Sequence, residues 1–357
     1  MNNCNVSVVI PTYNRVSPLS RALNSIARQT VQPAEVIIID DCSQPNVLNE
    51  VKAIVSAFSE RLTITLLINE RNSGANHARN RGLFAAASRY VAFLDSDDLW
   101  LPAKLEKQLV AIRNAAKANG KPILSATGRY RVDGDGKIIA QQFGGHILTG
   151  ERIRGSNFIG TLSSVVVDTG IARRIRGFDE TLPASQDWDF FIRLSEHVQY
   201  VGVADPLCVY VDDSRDRITR DYRRKLRGHI SIYRNHVRPI SGTGNVSAEF
   251  LKNIAEDYQE LGNKRKAAKF YARALSTNVR TFNCLQPFIE LAYGTFFRFI
   301  PPPQLKRQRY HRYQRVLSKL LRNDQCKAAL NRDGSIIQQL MRQTVEEFEF
   351  AAPRNFP

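Results

Sequence analysis

The 357-residue chain carries 51 Lys and Arg against 34 Asp and Glu, a formal net charge of +17, with 43% hydrophobic and 24% charged residues. These fractions belong to a globular protein that buries a core, and they exclude a disordered or fibrous chain. The five cysteines, Cys4, Cys42, Cys208, Cys284 and Cys326, are odd in number and scattered, which fits reduced thiols rather than a disulfide frame or a zinc site.

In chain order, Met1 leads directly into the strand-like Val6-Ser7-Val8-Val9-Ile10, with no basic stretch and apolar core ahead of it, so the expected location is the cytoplasm. Strands are predicted at 6–10, 36–39, 64–67, 90–94 and 123–126. Between them apolar residues recur at helical spacing, as Val47, Leu48, Val51, Ile54, Val55 and Phe58 do, and then Leu105, Leu109 and Ile112. This alternation predicts a doubly wound α/β sheet, in which ligands collect at the carboxyl ends of the strands. Residues 127–212 read as hairpins around the turn Asp133-Gly134-Asp135-Gly136, with one helix starting near Asp187, covering the active face of the sheet.

Beyond about 215 helical patterns dominate. From Arg215 to Lys327 there are roughly 25 basic and about 8 acidic residues, which carries the whole charge excess. Residues 255–278 resemble one tetratricopeptide-type helix pair. The apolar, aromatic stretch 285–300 contains Glu290 and Arg298, precedes three prolines and is short for a bilayer span, so it reads as a buried or interfacial helix. The expected organisation is a catalytic domain over 1–214, a basic helical domain over 215–330 and a tail over 331–357.

Four segments carry candidate chemistry. Asp95-Ser96-Asp97-Asp98 follows an apolar strand, and its crowded carboxylates call for a positive partner. A hard divalent cation shared with diphosphate oxygens is one answer, with Asp95 and Asp97 facing the same side; an acidic cap on the next helix is the other, and Asp98 suits it. Asp40-Asp41 closes the second strand and could accept from a base or ribose, or simply form a turn. Asn72-Ser73-Gly74 leads into a helix carrying Arg79, an arrangement that attracts phosphate, though a surface helix with an incidental arginine reads the same way. The last segment pairs Gly177-Phe178-Asp179-Glu180 with Gln186-Asp187-Trp188-Asp189, where Asp187 is a candidate general base beside a tryptophan able to stack on a sugar, and a helix cap is the alternative.

Taken in order, Val8-Val9-Ile10-Pro11-Thr12-Tyr13-Asn14, Ile38-Ile39-Asp40-Asp41, Asn72-Ser73-Gly74, Ala78-Arg79-Asn80, Phe93-Leu94-Asp95-Ser96-Asp97-Asp98 and Gln186-Asp187-Trp188-Asp189 resemble the family 2 inverting glycosyltransferases with the GT-A fold, over roughly the first 210 residues. The resemblance implies a mixed, Rossmann-like nucleotide-binding sheet with a basic α-helical appendage. It implies that Pro11, Thr12, Tyr13 and Asp41 contact the nucleoside and that Asn72, Arg79, Asp95 and Ser96 complete the nucleotide-sugar site. Asp95 and Asp97 would hold Mn²⁺ or Mg²⁺, with Asp97 the direct ligand, and Asp187 would be the base of a single in-line displacement. Many members carry Glu-Asp where this chain has Gln186-Asp187, so the acceptor side departs from the common pattern.

The implied partners are a nucleotide-sugar donor and a saccharide or lipid-linked acceptor, with a peripheral contact at the inner face of the cytoplasmic membrane through the basic region. Two competing readings are a nucleic-acid-binding protein built on that region, which no nucleic-acid motif accompanies, and a nucleotidyltransferase using the same acidic loop.

Overall fold

A computed structural model of the chain describes residues 4–145, 149–212, 221–239 and 244–277. Its parallel half consists of β1 (Cys4–Thr12), β2 (Pro33–Asp40), β3 (Ile64–Ile68) and β4 (Tyr90–Phe93). β1 pairs in parallel with both β2 and β4, and β2 with β3. The crossovers are α1 (Ser17–Ala27), α2 (Pro45–Phe58) and α3 (Ala75–Ala85). α1 and α2 each begin with a proline in the first turn, where its missing N–H costs nothing.

Residues of these strands alternate between two cores. Val9, Ile37, Ile39, Val91 and Phe93 face one side, and Val8, Ile10, Val36, Ile38 and Ala92 the other. Burial on both faces explains why the strands read as unbroken apolar runs. α3 sits unusually close to the sheet: a Cβ at Gly82 would lie 2.4 Å from Val9 Cγ1 and 2.6 Å from Ile39 Cδ1. That close approach brings Arg79, on the same helix, under the strand ends.

The rest of the sheet is mixed. The remaining elements before the helical region are β5 (Leu99–Trp100), α4 (Lys104–Asn119), β6 (Ile123–Asp133), β7 (Ile138–Gln142), α5 (Gly150–Gly155), β8 (Val165–Asp168), α6 (Thr169–Arg174), α7 (Gln186–Ser195) and β9 (Gln199–Asp212). The strand order is β3-β2-β1-β4-β8-β6-β9-β5, with β7 on the flank of β6. The strand predicted at 123–126 forms, but it does not extend the parallel half directly. β8 lies between it and β4, antiparallel to both. The wholly buried Val165-Val166-Val167 needs an interior position, and this one buries both its faces. The predicted turn closes the β6–β7 hairpin, with Asp133 Oδ1 accepting from the backbone N–H of Asp135 and Lys137.

Lys104, at the start of α4, is fully buried. Its Nζ donates to Gln108 Oε1 at 2.7 Å and lies 3.9 Å from the centre of the Trp100 ring. Burial pulls its pKa down to about 7.

The helical region contains α8 (Tyr222–Ile232), a π-helical turn (Tyr233–Val237), α9 (Gly244–Glu260) and α10 (Lys264–Thr277). α9 and α10 form a helix pair around Leu251, Ala255, Ala267, Tyr271 and Ala274, but its first helix begins at Gly244, well ahead of the predicted 255–278. Leu226, Ile232, Val237, Phe250 and Ile254 belong to the same core cluster as Trp188 and Phe191 of α7. The boundary expected at 214/215, the apolar stretch 285–300 and the tail 331–357 lie outside the described residues. Among the described residues no helix is long and apolar enough to cross a membrane.

Candidate active site

The predicted loops converge at the carboxyl edge of the parallel half. Pro11 and Thr12 end β1, and Tyr13 beyond them is 45% exposed, open to stack on a planar ligand. The loop is tied to its neighbour: Asn14 N donates to Ser43 Oγ, and Gln44 N to Asn14 Oδ1. Asp40 holds Ser43 through both the backbone N–H and the hydroxyl, so it is the turn-forming member of the acidic pair. Asp41 is buried and works across loops. Its Oδ1 accepts from Asn69 Nδ2 at 2.7 Å and Ser73 N at 3.0 Å, and its Oδ2 from Gly74 N at 2.7 Å. Asp41 thus fixes the entrance to α3, beside which Asn72 is exposed. Asn14 and Cys42, in loops of this edge, and Ser185, just before α7, adopt the left-handed backbone region that non-glycine residues rarely enter.

Beyond β4 the acidic loop turns back on itself, with Asp98 N donating to Asp95 O. Asp95 and Asp97 therefore lie in a turn past the end of the strand, and each is oriented by its own arginine. Arg79, 5% exposed, donates from Nη2 to Asp95 Oδ1 at 2.6 Å. Arg15 Nη1 meets Asp97 Oδ2 at 2.7 Å. Arg79 Nε is buried without a hydrogen-bond partner. Ser96 is buried within the turn.

Asp98 does not cap the following helix. It is 1% exposed, and its Oδ2 accepts from Ser163 Oγ at 2.6 Å and Thr161 Oγ1 at 3.4 Å, whereas the cap position of α4 is Ala103. A carboxylate this deep gains more from two hydroxyl donors than from an exposed helix end.

Asp187 occupies the first turn of α7 and accepts from Asn157 Nδ2 at 2.9 Å. Crowding by protein raises its pKa above the usual carboxylate range. The Trp188 N–H, Asn157 and the positive charge of Arg79 oppose that rise, and Asp95 adds to it.

The neighbouring residues serve other ends. Trp188 is not a sugar platform: it is 4% exposed, stacks on Phe250 at 4.6 Å and donates from Nε1 to the Ile153 carbonyl. Asp189 accepts from Arg193 Nε at 2.8 Å and His236 Nε2 at 2.7 Å. Burial alone would raise its pKa, but these donors and the positive charge of Arg193 hold it low. Glu180 accepts from Asn80 and pairs with His77, which docks the 177–180 loop onto α3.

Arg15, Asn157, Thr161 and Ser163 belong to this site although no motif in the sequence pointed to them. Arg15 was the most accessible, since it is the first basic residue after the Pro11–Asn14 loop. Asn157 sits in a loop, and Ser163 in a single 3-10 turn (Leu162–Ser164) too short to show periodicity.

The donor set fits a hard divalent cation. Asp95 and Asp97 offer carboxylate oxygens on one turn, and Mg²⁺ or Mn²⁺ characteristically takes one or two protein carboxylates and fills its remaining positions with phosphate oxygens and water. Among the described residues no group of three or more His, Cys, Asp and Glu side chains forms a self-sufficient cage.

The loops at the carboxyl edge of this mixed α/β sheet thus hold an acidic turn paired with two arginines, and Asp187 lies at the start of α7. The glycosyl transferase family 2 model matches residues 7–181. An amylovoran biosynthesis glycosyltransferase of Erwinia amylovora is 32% identical over 219 residues, covering 59% of this chain and 70% of that protein. The chain belongs to glycosyltransferase family 2. The fold is shared with solved structures at low identity: TarS residues 1–349 of S. aureus in complex with UDP (TM-score 0.55, 22% identity, 76% of this chain and 79% of that one) and a mannosyltransferase of Pyrobaculum calidifontis in complex with GDP-Man and Mn²⁺ (TM-score 0.51, 15% identity, 97% and 87%). The nucleic-acid-binding and nucleotidyl-transfer readings gain no support from these comparisons.

Proposed function

We propose that this glycosyltransferase moves a sugar from a nucleoside-diphosphate sugar to a hydroxyl of a saccharide or lipid-linked acceptor, inverting the anomeric carbon. The observation that carries the reading is the acidic turn beyond β4, with Asp95 held by Arg79 at 2.6 Å and Asp97 by Arg15 at 2.7 Å, together with the Asp187 carboxylate that Asn157 holds at the start of α7. A base on the acceptor side and balanced charge on the donor side are what a single displacement needs.

Tyr13, Asp41 and the Asn72–Gly74 loop would receive the nucleoside, and Arg79 and Arg15 the diphosphate. Asp187 takes the proton from the acceptor hydroxyl. That oxygen forms its bond to the anomeric carbon as the bond from the same carbon to the diphosphate oxygen breaks, and the electron pair leaves with the nucleoside diphosphate. The two guanidinium groups would balance the charge that grows there. A divalent cation on Asp95 and Asp97 would supply further charge neutralisation on the diphosphate. The Mn²⁺ in the Pyrobaculum structure and the amylovoran biosynthesis name of the Erwinia relative support the metal and a polysaccharide setting respectively.

The test is a screen of nucleotide sugars with Mn²⁺ or Mg²⁺ for acceptor-dependent release of nucleoside diphosphate, followed by assignment of the product anomer. A product that retains the donor configuration, or release of pyrophosphate, overturns the reading.

The positive surplus between Arg215 and Lys327 favours a peripheral contact with anionic lipid, which would bring the site to a membrane-held acceptor. Co-sedimentation with anionic and neutral liposomes tests it. Equal recovery in the supernatant with both counts against it.

A further inference from the structure

The segment that follows α5 touches both halves of the site. At its start, Asn157 donates to Asp187 Oδ2. At its end, the Ser163 hydroxyl donates to Asp98 Oδ2 and accepts from Asp95 N at 3.1 Å. Between them the chain is held at two further points. Asn157 Oδ1 accepts from Gly160 N at 3.0 Å, and Arg129 Nη1 donates to the Ile159 carbonyl at 3.1 Å. Gly160 has a φ of +79°, a backbone conformation in which any other residue would be strained, and the Arg129 guanidinium lies against it.

These contacts fix the orientation of the Asn157 amide. Gly160 N–H can only donate, so the amide oxygen must face it, and the NH₂ group is left facing Asp187. Asn157 therefore acts as a donor to Asp187 and has no acceptor to offer it.

Resting on the assignment of Asp187 as the base, we propose that Asn157 is a positioning residue of the transfer reaction. It aims the Asp187 carboxylate, and the 157–163 segment sets that carboxylate against the Asp95–Asp98 turn. The donor and acceptor halves are then registered by one short stretch of chain rather than by the sheet alone. The direction of its electrostatic effect follows: a hydrogen bond donated to a carboxylate favours the charged form, opposing the rise that burial imposes.

The test uses the full-length enzyme with Asn157→Ala and Asn157→Asp. The aspartate keeps the size of the side chain and an acceptor for Gly160 N–H while removing the donor to Asp187. The expected result for Asn157→Ala is a fall in kcat of about tenfold at neutral pH, donor KM within twofold of wild type, and an acid limb of the kcat profile moved up by about one pH unit. Asn157→Asp should shift the limb further, with wild-type melting temperature and nucleoside-diphosphate affinity. An unmoved acid limb in Asn157→Asp, whether kcat is retained or falls equally at every pH, overturns the proposal. Asp187→Asn separates the two assignments: full transfer by that variant defeats the base itself, whereas loss of transfer alongside an unmoved limb in the Asn157 variants defeats the positioning role alone.

Discussion

Arg15 and Asp97, brought together from the first and fourth strand ends, meet at 2.7 Å with both side chains partly open to solvent. The pair joins the β1 loop to the acidic turn. An ion pair this exposed contributes little to stability, with a typical exposed pair worth about 0–1 kcal/mol. On the proposed function, it keeps a carboxylate and a guanidinium where a diphosphate would need them.

Asp97→Ala should therefore leave the melting temperature nearly unchanged while transfer falls by about a hundredfold or more, the scale of losing a charge-stabilising group. Metal-dependent tightening of nucleoside-diphosphate binding should disappear with it. Calorimetric titration in Mn²⁺ and in chelator measures both. Identical metal dependence in wild type and variant would remove Asp97 from the ligand set.

Transfer by the wild-type enzyme should fall as pH is lowered through the raised pKa of Asp187, because protonation removes the base. The limb should lie above the ordinary carboxylate pKa of about 4. Asp187→Asn should lose kcat by about two to four orders of magnitude with donor affinity retained. A kcat profile flat down to the ordinary carboxylate range would contradict the burial effect.

Trp188→Phe should lower stability by about 1 kcal/mol, the loss of the Nε1 bond to Ile153, with acceptor KM within twofold. A large rise in acceptor KM without destabilisation would instead put this ring at the sugar.

Lys104 supplies a pH test away from the chemistry. Its folded-state pKa of about 7 lies below the unfolded value, so the unfolded chain binds more protons above neutrality. This group should make stability rise between about pH 7 and 10.5, and its contribution should be flat below that window. Lys104→Met should flatten the limb and raise the melting temperature at neutral pH. An unchanged slope between denaturation curves of the two proteins would contradict the assignment.

The donor half was legible in the sequence because its signals are local. Apolar runs of strand length end in short polar motifs, so Thr12, Asp41 and Asp95 could be placed at strand ends by counting. Roles set by distant partners were not legible. Asp98 looked like a cap because its partners, Thr161 and Ser163, are far along the chain. Trp188 looked like a sugar platform because Phe250, which covers it, belongs to α9. The antiparallel insertion of β8 was hidden for the same reason: three valines identify a strand, and pairing decides its direction.

The stack of Trp188 on Phe250 bears on how the enzyme can be divided. Trp188 follows Asp187 directly, and α9 together with His236 on Asp189 forms the outer wall of the helix that carries the base. A shortened protein ending near residue 212 would retain every motif of the donor site yet expose this ring and leave Asp189 without one of its two donors. The helical region thus braces α7, and on the proposed role of Asp187 shortened forms should bind nucleotide better than they transfer sugar.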